Sequence, residues 1–169
     1  MPVSIDTERC RLVGLTRENV SDNYVTWLSD PEVVEFLESR LVTQTREEVE
    51  SFVELCLLSP DSLLLGVFLK DQNRHVGNIK LGNISTHHRR AEIGFLIGEK
   101  DCWGKGIATE AITGVCDWAF TRFELQKITA GCYARNAGSR RALEKSGFFL
   151  DAALASHVVD NSGYRQDLL

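Results

Sequence analysis

The chain has 169 residues, of which 43% are hydrophobic and 25% charged, with a formal net charge of −5 at pH 7. That length suits one domain burying roughly 70% of the surface its unfolded chain exposes, so neither disulfides nor metals are needed as staples. An acidic balance argues against a nucleic-acid partner, which needs a concentrated basic face, and no apolar run reaches signal-peptide or membrane-span length. The reading is therefore a soluble, cytoplasmic protein with no membrane or nucleic-acid partner. Cys10, Cys56, Cys102, Cys116 and Cys132 are scattered and lack CxxC spacing, so free thiols and no metal site are expected. His87 and His88 sit beside Arg89 and Arg90 with too few further ligands for a metal, and read as a solvated turn.

In chain order, Arg9–Leu15 alternates as a short strand, and helical material follows around Asn19–Leu28 and again after Asp30-Pro31, where proline suits a first turn. Thr45-Arg-Glu-Glu48 is a capping box, in which threonine and glutamate close each other's free amides. Val49, Phe52, Val53 and Cys56 continue that helix until Pro60 ends it. Then the period changes to two. Ser62–Leu69 and His75–Ile84 are β-rich and joined by a polar hairpin, and Ala91–Gly98 is a further strand. A long helix spans about Gly104 to Phe123, with Ala108, Ala111, Ile112, Val115, Cys116 and Ala119 on its apolar face. A strand at Lys127–Tyr133, a helix at about Ala137–Ser146, a strand from Phe148 and a last strand near Tyr164 complete the chain. This order predicts an α/β (α+β) fold in a single domain over residues 1–169, with a mixed, mostly antiparallel twisted sheet flanked by helices.

The most informative stretch is Asp101-Cys-Trp-Gly-Lys-Gly-Ile-Ala-Thr-Glu-Ala111, which links a strand to the long helix. Two glycines one residue apart let the backbone turn tightly and approach a ligand, and the helix start offers free N–H groups and partial positive charge. Together these make a phosphate or pyrophosphate cradle. A P-loop fails because Gly106 follows Lys105, and Gly98 is one residue too far back. The dinucleotide fingerprint fails because Thr109 stands where its third glycine belongs. A kinase glycine loop would lie between two strands. An ordinary strand–helix turn remains the plainer alternative.

The turn has company. Gly104 and Gly106 take the glycine places of motif A in the GNAT superfamily of acetyl-CoA-dependent N-acetyltransferases, and Trp103-GKGIATEA111 resembles the branch of the Rim-type enzymes acting on ribosomal-protein N-termini. Ala91–Ile97 is similar to the strand that pairs with the pantetheine arm, while Asn136-Ala-Gly-Ser139 and Glu144-Lys-Ser-Gly-Phe148 are similar to the family's later motifs. The resemblance covers nearly the whole chain. Two positions depart from the pattern: Asp101 replaces a Gln/Arg and would repel a pyrophosphate, and Leu143 stands where many members have a proton-donating tyrosine.

The resemblance implies direct acetyl transfer from acetyl-CoA to an amine, which could be a protein N-terminus, an amino sugar or a small amine. It implies Glu92 as base, with a solvated strand carboxylate as the alternative, and Ser139 as the acid for the leaving thiolate, with a helix back-bonding hydroxyl as the alternative. Alternation places Glu92 with Gly94 and Leu96, opposite Ile93 and Phe95. Phe95, Leu96 and Ile97 would flank the pantetheine, with a backbone N–H near Phe95 or Leu96 stabilising the oxyanion. Trp103, Gly104, Lys105, Gly106, Ile107, Ala108 and Thr109 would form the pyrophosphate turn; Asn136, Ser139 and Lys145 would contact the rest of the cofactor. Trp103 also reads as a staple from helix to sheet. Tyr164–Leu169 resembles the start of the family's final strand, so the expectation is a chain that stops slightly early.

Overall fold

The computed structural model describes residues 3–42 and 44–169. Its elements are β1 (Ser4–Asp6), β2 (Cys10–Gly14), α1 (Asp22–Ser29), α2 (Pro31–Val34), α3 (Arg46–Leu58), β3 (Leu63–Leu69), β4 (Arg74–Ser85), β5 (Arg90–Ile97), α4 (Ile107–Phe123), β6 (Lys127–Thr129), α5 (Ala137–Lys145), β7 (Leu154–Val159) and β8 (Arg165–Leu168). β1 is the strand the sequence reading did not foresee; three residues are too few for alternation to show. The other elements form where local chemistry directs. The Thr45 box closes at both ends, Glu48 N–H donating to Thr45 Oγ1 at 3.3 Å and Thr45 N–H to Glu48 Oε2 at 2.7 Å. Asp30 caps α2, with Pro31 in its first turn.

Six strands run in the order β1 to β6, antiparallel except for the last pair, which is parallel; β7 and β8 form a separate antiparallel pair. One face of the sheet buries Leu12, Leu65, Ile79 and Ile93 with Ile112 and Val115 of α4. The other buries Leu15 and Leu64 with Tyr24 and Trp27 of α1 and Val49 and Val53 of α3. At roughly 25 cal/mol per Å² of apolar surface, these two layers supply the main driving force for folding. All five cysteines are free and buried. Burial pushes the Cys10 thiol up to about 11 and the Cys116 thiol up to about 12, which leaves both unreactive at neutral pH.

The sheet is not continuous at its far side. β5 and β6 pair over three residues only, Arg90 with Lys127, Ala91 with Ile128 and Glu92 with Thr129. Beyond that point the chain turns to β8: Cys132 and Leu169 exchange both backbone bonds at 2.9 Å, and Tyr133 bridges Leu168. The single strand expected over Lys127–Tyr133 thus serves two partners and is regular only to Thr129. The strand expected from Phe148 begins only at Leu154. Phe148–Ala152 line a slot of about 720 Å³ opposite Gln126–Cys132.

The join between α1 and the end of β5 is tight. Trp27 lies over Gly98, where an added Cβ would come 1.9 Å from Trp27 Cδ2. Gly98→Ala is expected to destabilise the protein by about 1–3 kcal/mol through overpacking, measured by urea denaturation. His75 stacks on Phe68 at 4.6 Å and meets the edge of Trp27 at 5.0 Å. Its Nε2 lies 3.0 Å from the Gly77 carbonyl and 2.8 Å from Asn78 Oδ1, both acceptors, so Nε2 carries the proton of a neutral ring. Desolvation lowers its pKa below the ordinary 6.5. The unfolded chain therefore protonates first as pH falls. Stability from this group is fully present above pH 6.5 and is lost as pH falls through that value towards the folded-state one. The stability gap between wild type and His75→Gln should accordingly narrow between pH 7.5 and pH 5.5 in chemical denaturation.

Candidate active site

The turn ahead of α4 adopts the geometry two glycines permit. Gly104 has φ 72° and Gly106 φ 79°, both left-handed, and Gly106 is the N-cap, its carbonyl accepting from Glu110 N–H at 3.0 Å. A Cβ built on Gly104 would meet nothing within 4 Å, so the turn faces open space. Side chains from elsewhere hold it there. Glu110, in the first turn of α4, accepts from Thr7 Oγ1 at 2.6 Å, Arg9 N–H at 2.7 Å and Arg9 Nε at 2.7 Å. Burial opposes ionisation of Glu110, but those donors keep its carboxyl below the usual range. Arg9 also donates to the Lys105 carbonyl at 2.9 Å, which ties the β1–β2 turn to the glycine turn.

Asp101 does not stand as a bare negative charge. Arg74, at the start of β4, approaches it with Nη2 at 2.7 Å from Oδ2 and Nη1 at 3.3 Å from Oδ1. The hydrogen bond from Arg74 holds the Asp101 carboxyl below the ordinary range. Arg74 further reaches Glu99 Oε2 at 3.3 Å, and Glu99 Oε1 accepts the Trp27 indole N–H at 2.9 Å. A chain of contacts therefore runs from α1 through Glu99 and Arg74 to the turn. The sequence reading missed Arg74 because 27 residues separate it from Asp101.

At the other end of β5 the parted strands enclose a cleft of about 660 Å³, whose lining includes Glu92, Gly94, Phe95, Tyr133, Asn136 and Ser139. Gly94 again has nothing within 4 Å of a built Cβ. Ala91 and Ile93 face α4, so Glu92 and Gly94 face the opposite side, as the alternation required. Glu92 is exposed and accepts from Asn83 Nδ2 at 2.9 Å. Asn83 lies at the irregularity between β4 and β5 and has φ 50°, a left-handed conformation that asparagine tolerates. Asn136 caps α5, its Oδ1 accepting from Ser139 N–H at 3.0 Å, and among the described residues Ser139 Oγ makes no hydrogen bond. Leu143 is buried in the main core and offers no proton.

The remaining expected site residues fall between these two ends. Trp103 donates its indole N–H to the Ile97 carbonyl at 2.7 Å, stapling the turn to the end of β5. Leu96 packs with the α1 side and Ile97 with the α4 side. The Ile107 side chain is buried, which leaves only its backbone for a ligand; Ala108 and Thr109 complete the first turn of the helix. Lys145 is exposed at the end of α5, and the next residue, Ser146, donates to the Thr109 carbonyl at 3.2 Å, which sets α5 against the mouth of α4. Lys105 is likewise exposed.

Such a layout sets an open two-glycine turn at a helix mouth at one end of a strand and a cleft towards its other end. Residues 9–149 match the acetyltransferase (GNAT) domain, and the chain belongs to that family. It is 38% identical over 97 residues to the probable N-acetyltransferase YjcK of Bacillus subtilis, a match covering 57% of this chain and 53% of YjcK. It is 28% identical over 154 residues to the uncharacterized N-acetyltransferase p20 of Bacillus licheniformis, covering 89% and 85% of the two. The chain thus spans about half of YjcK and most of p20. Its fold is similar to RimL, a ribosomal L7/L12 alpha-N-protein acetyltransferase solved with coenzyme A, with TM-score 0.87, 16% identity, and coverage of 98% of this chain and 95% of that one.

If Arg74 offsets Asp101 at an anion site, Arg74→Ala should weaken coenzyme A binding about tenfold, and adding Asp101→Asn should restore most of the loss. Titration calorimetry on the three proteins measures this.

Proposed function

We propose that this protein transfers an acetyl group from acetyl-CoA to a primary amine, by direct attack in a ternary complex. The observation that carries the reading is the parting of β5 and β6 after Glu92, beside a two-glycine turn at the mouth of α4. The turn supplies free N–H groups and partial positive charge for the pyrophosphate. Among the described residues no strand pairs with β5 on its β6 side beyond Glu92, so its edge is open to a pantetheine arm laid along Phe95–Ile97. The open space over Gly94 and Gly104 leaves room for that ligand. Asn136, the N-cap of α5, would contact the arm, and Lys145, next in sequence to the Ser146 that bonds the Thr109 carbonyl, would meet phosphate.

In the reaction the amine nitrogen attacks the thioester carbonyl, the C–N bond forms and the C–S bond breaks. The proton lost by the nitrogen goes to Glu92, directly or through water; Ser139 or water returns a proton to the thiolate sulfur. A backbone N–H near Phe95 or Leu96 takes the negative charge developing on the carbonyl oxygen. Much of the acceleration comes from positioning, which can offset about 7–11 kcal/mol of barrier. The resemblance to the Rim-type branch favours a protein N-terminal amine as acceptor, and small amines suit the same chemistry.

Acetyl-CoA is expected to raise the melting temperature as its concentration exceeds its Kd. Glu92→Gln should lower kcat about 10²–10⁴-fold while leaving acetyl-CoA affinity nearly unchanged. A thermal-shift titration and a steady-state transfer assay check this, and stabilisation with no transfer to any primary amine would overturn it.

A further inference from the structure

The acceptor side of the cleft contains a group that acetyl transfer itself does not call for. Arg40 sits in the short helical turn Glu38–Leu41, and its side chain is 4% exposed. Four of its five N–H donors are used in hydrogen bonds, and Nη1 also lies 3.6 Å from Glu38 Oε1. Nη1 donates to the Leu37 carbonyl at 2.7 Å, Nε to Asn161 Oδ1 at 2.9 Å, and Nη2 to the Val159 carbonyl at 2.8 Å and to Tyr133 Oη at 3.0 Å. The guanidinium also lies 5.2 Å from the centre of the Tyr133 ring. Tyr133 in turn donates its hydroxyl to Glu38 Oε1. Burying a guanidinium costs several kcal/mol unless its hydrogen bonds are made, so this arginine fastens three separate segments of chain in one arrangement.

What that arrangement presents to the cleft is Glu38. Its side chain is 70% exposed, Oε1 is held by Tyr133, and Oε2 has no partner among the described residues. Glu38 and Tyr133 line the same cleft as Glu92, from a different wall. The reacting nitrogen must be neutral to attack, and the proposed base for its proton is Glu92. A second fixed carboxylate therefore has no part in the transfer. Its Oε1 is also paired with the buried guanidinium, 3.6 Å from Arg40 Nη1, so Oε2 is the oxygen left to face the cleft, and Lys80 of β4 lies over the Phe52 ring at 5.4 Å.

Building on the function proposed above, we propose that Glu38 is a specificity-determining residue that binds a second positive charge on the acceptor, with Tyr133 and Arg40 as the residues that position it. The acceptor is then an amine carrying a cationic group away from the reacting nitrogen. Two sources share that chemistry: a small diamine, and a peptide N-terminus followed by a basic residue.

The test compares kcat/KM for matched acceptor pairs: a linear diamine against the monoamine of equal length, and a peptide with Lys as its second residue against one with Gln. Wild type should prefer the cationic member of at least one pair, and the pair that shows the preference identifies the source. Glu38→Gln should reduce that preference about fivefold, mainly through KM. Raising salt should erode the preference in wild type but not in this variant. Tyr133→Phe should reduce it in the same direction, and acetyl-CoA stabilisation in each variant reports that the fold is intact. A preference insensitive to Glu38→Gln, or no preference in either pair, overturns the assignment of Glu38 and leaves the acetyltransferase reading standing. Absence of transfer to all four acceptors despite acetyl-CoA binding overturns both.

Discussion

The parting of two parallel strands is the constraint on which the rest of this molecule depends. A sheet gains from continuing its ladder, and an open strand edge in mid-sheet leaves backbone groups without partners. Here β5 and β6 separate after one short stretch because the chain beyond Thr129 has a competing partner in β8. The bonds of Cys132 and Ala134 to Leu169 and Asp167 satisfy the β6 side of the breach. The β5 side has no such bonds to β6 beyond Glu92 among the described residues. The small second sheet is therefore what holds the cleft open, although it contributes little to the main core.

A breach of this kind is useful only if its two ends keep their spacing, and the contacts around the turn serve that end. Glu110 holds the β1–β2 turn against α4, and Trp27, Glu99 and Arg74 connect α1 with Asp101. These ion pairs are partly exposed, so each adds little to global stability. Their effect is local. They fix the backbone donors of the turn at the end of β5, and they offset the negative charge of Asp101 beside it. In that position the charge on Asp101 costs little, and its carboxylate orients Arg74.

Local patterns in the sequence were sufficient for most elements. The capping box of α3, the proline of α2, the apolar face of α4 and the paired glycines all appear where spacing put them. Features that depend on remote partners were not legible. Nothing between Lys127 and Tyr133 signals that one apolar run divides between two sheets, and nothing after Phe148 shows that the strand there starts only at Leu154. The departure at Asp101 looked unfavourable for an anion because its partner, Arg74, lies in another strand. Arg40 gave no signal for the same reason. Its partners Tyr133 and Asn161 are 93 and 121 residues away, and no period or motif links them.

That contrast in legibility reflects how the two ends of the site are built. The turn end is nearly contiguous, running from Ile97 to Glu110, so most of its geometry is written in one short motif, braced from outside by Thr7, Arg9 and Arg74. The acceptor end is assembled from Leu37–Arg40, Tyr133 and Val159–Asn161, with Arg40 bonded to all three and Tyr133 bonded also to Glu38. Substitution in any one of those segments can reshape the wall around Glu38 without disturbing the glycine turn. A family built this way can keep one donor site while its acceptor sites diverge, because the two are encoded by different kinds of sequence information. Motif resemblance therefore reports the donor end well and says little about the acceptor, whose chemistry has to be read from side chains that only the folded chain brings together.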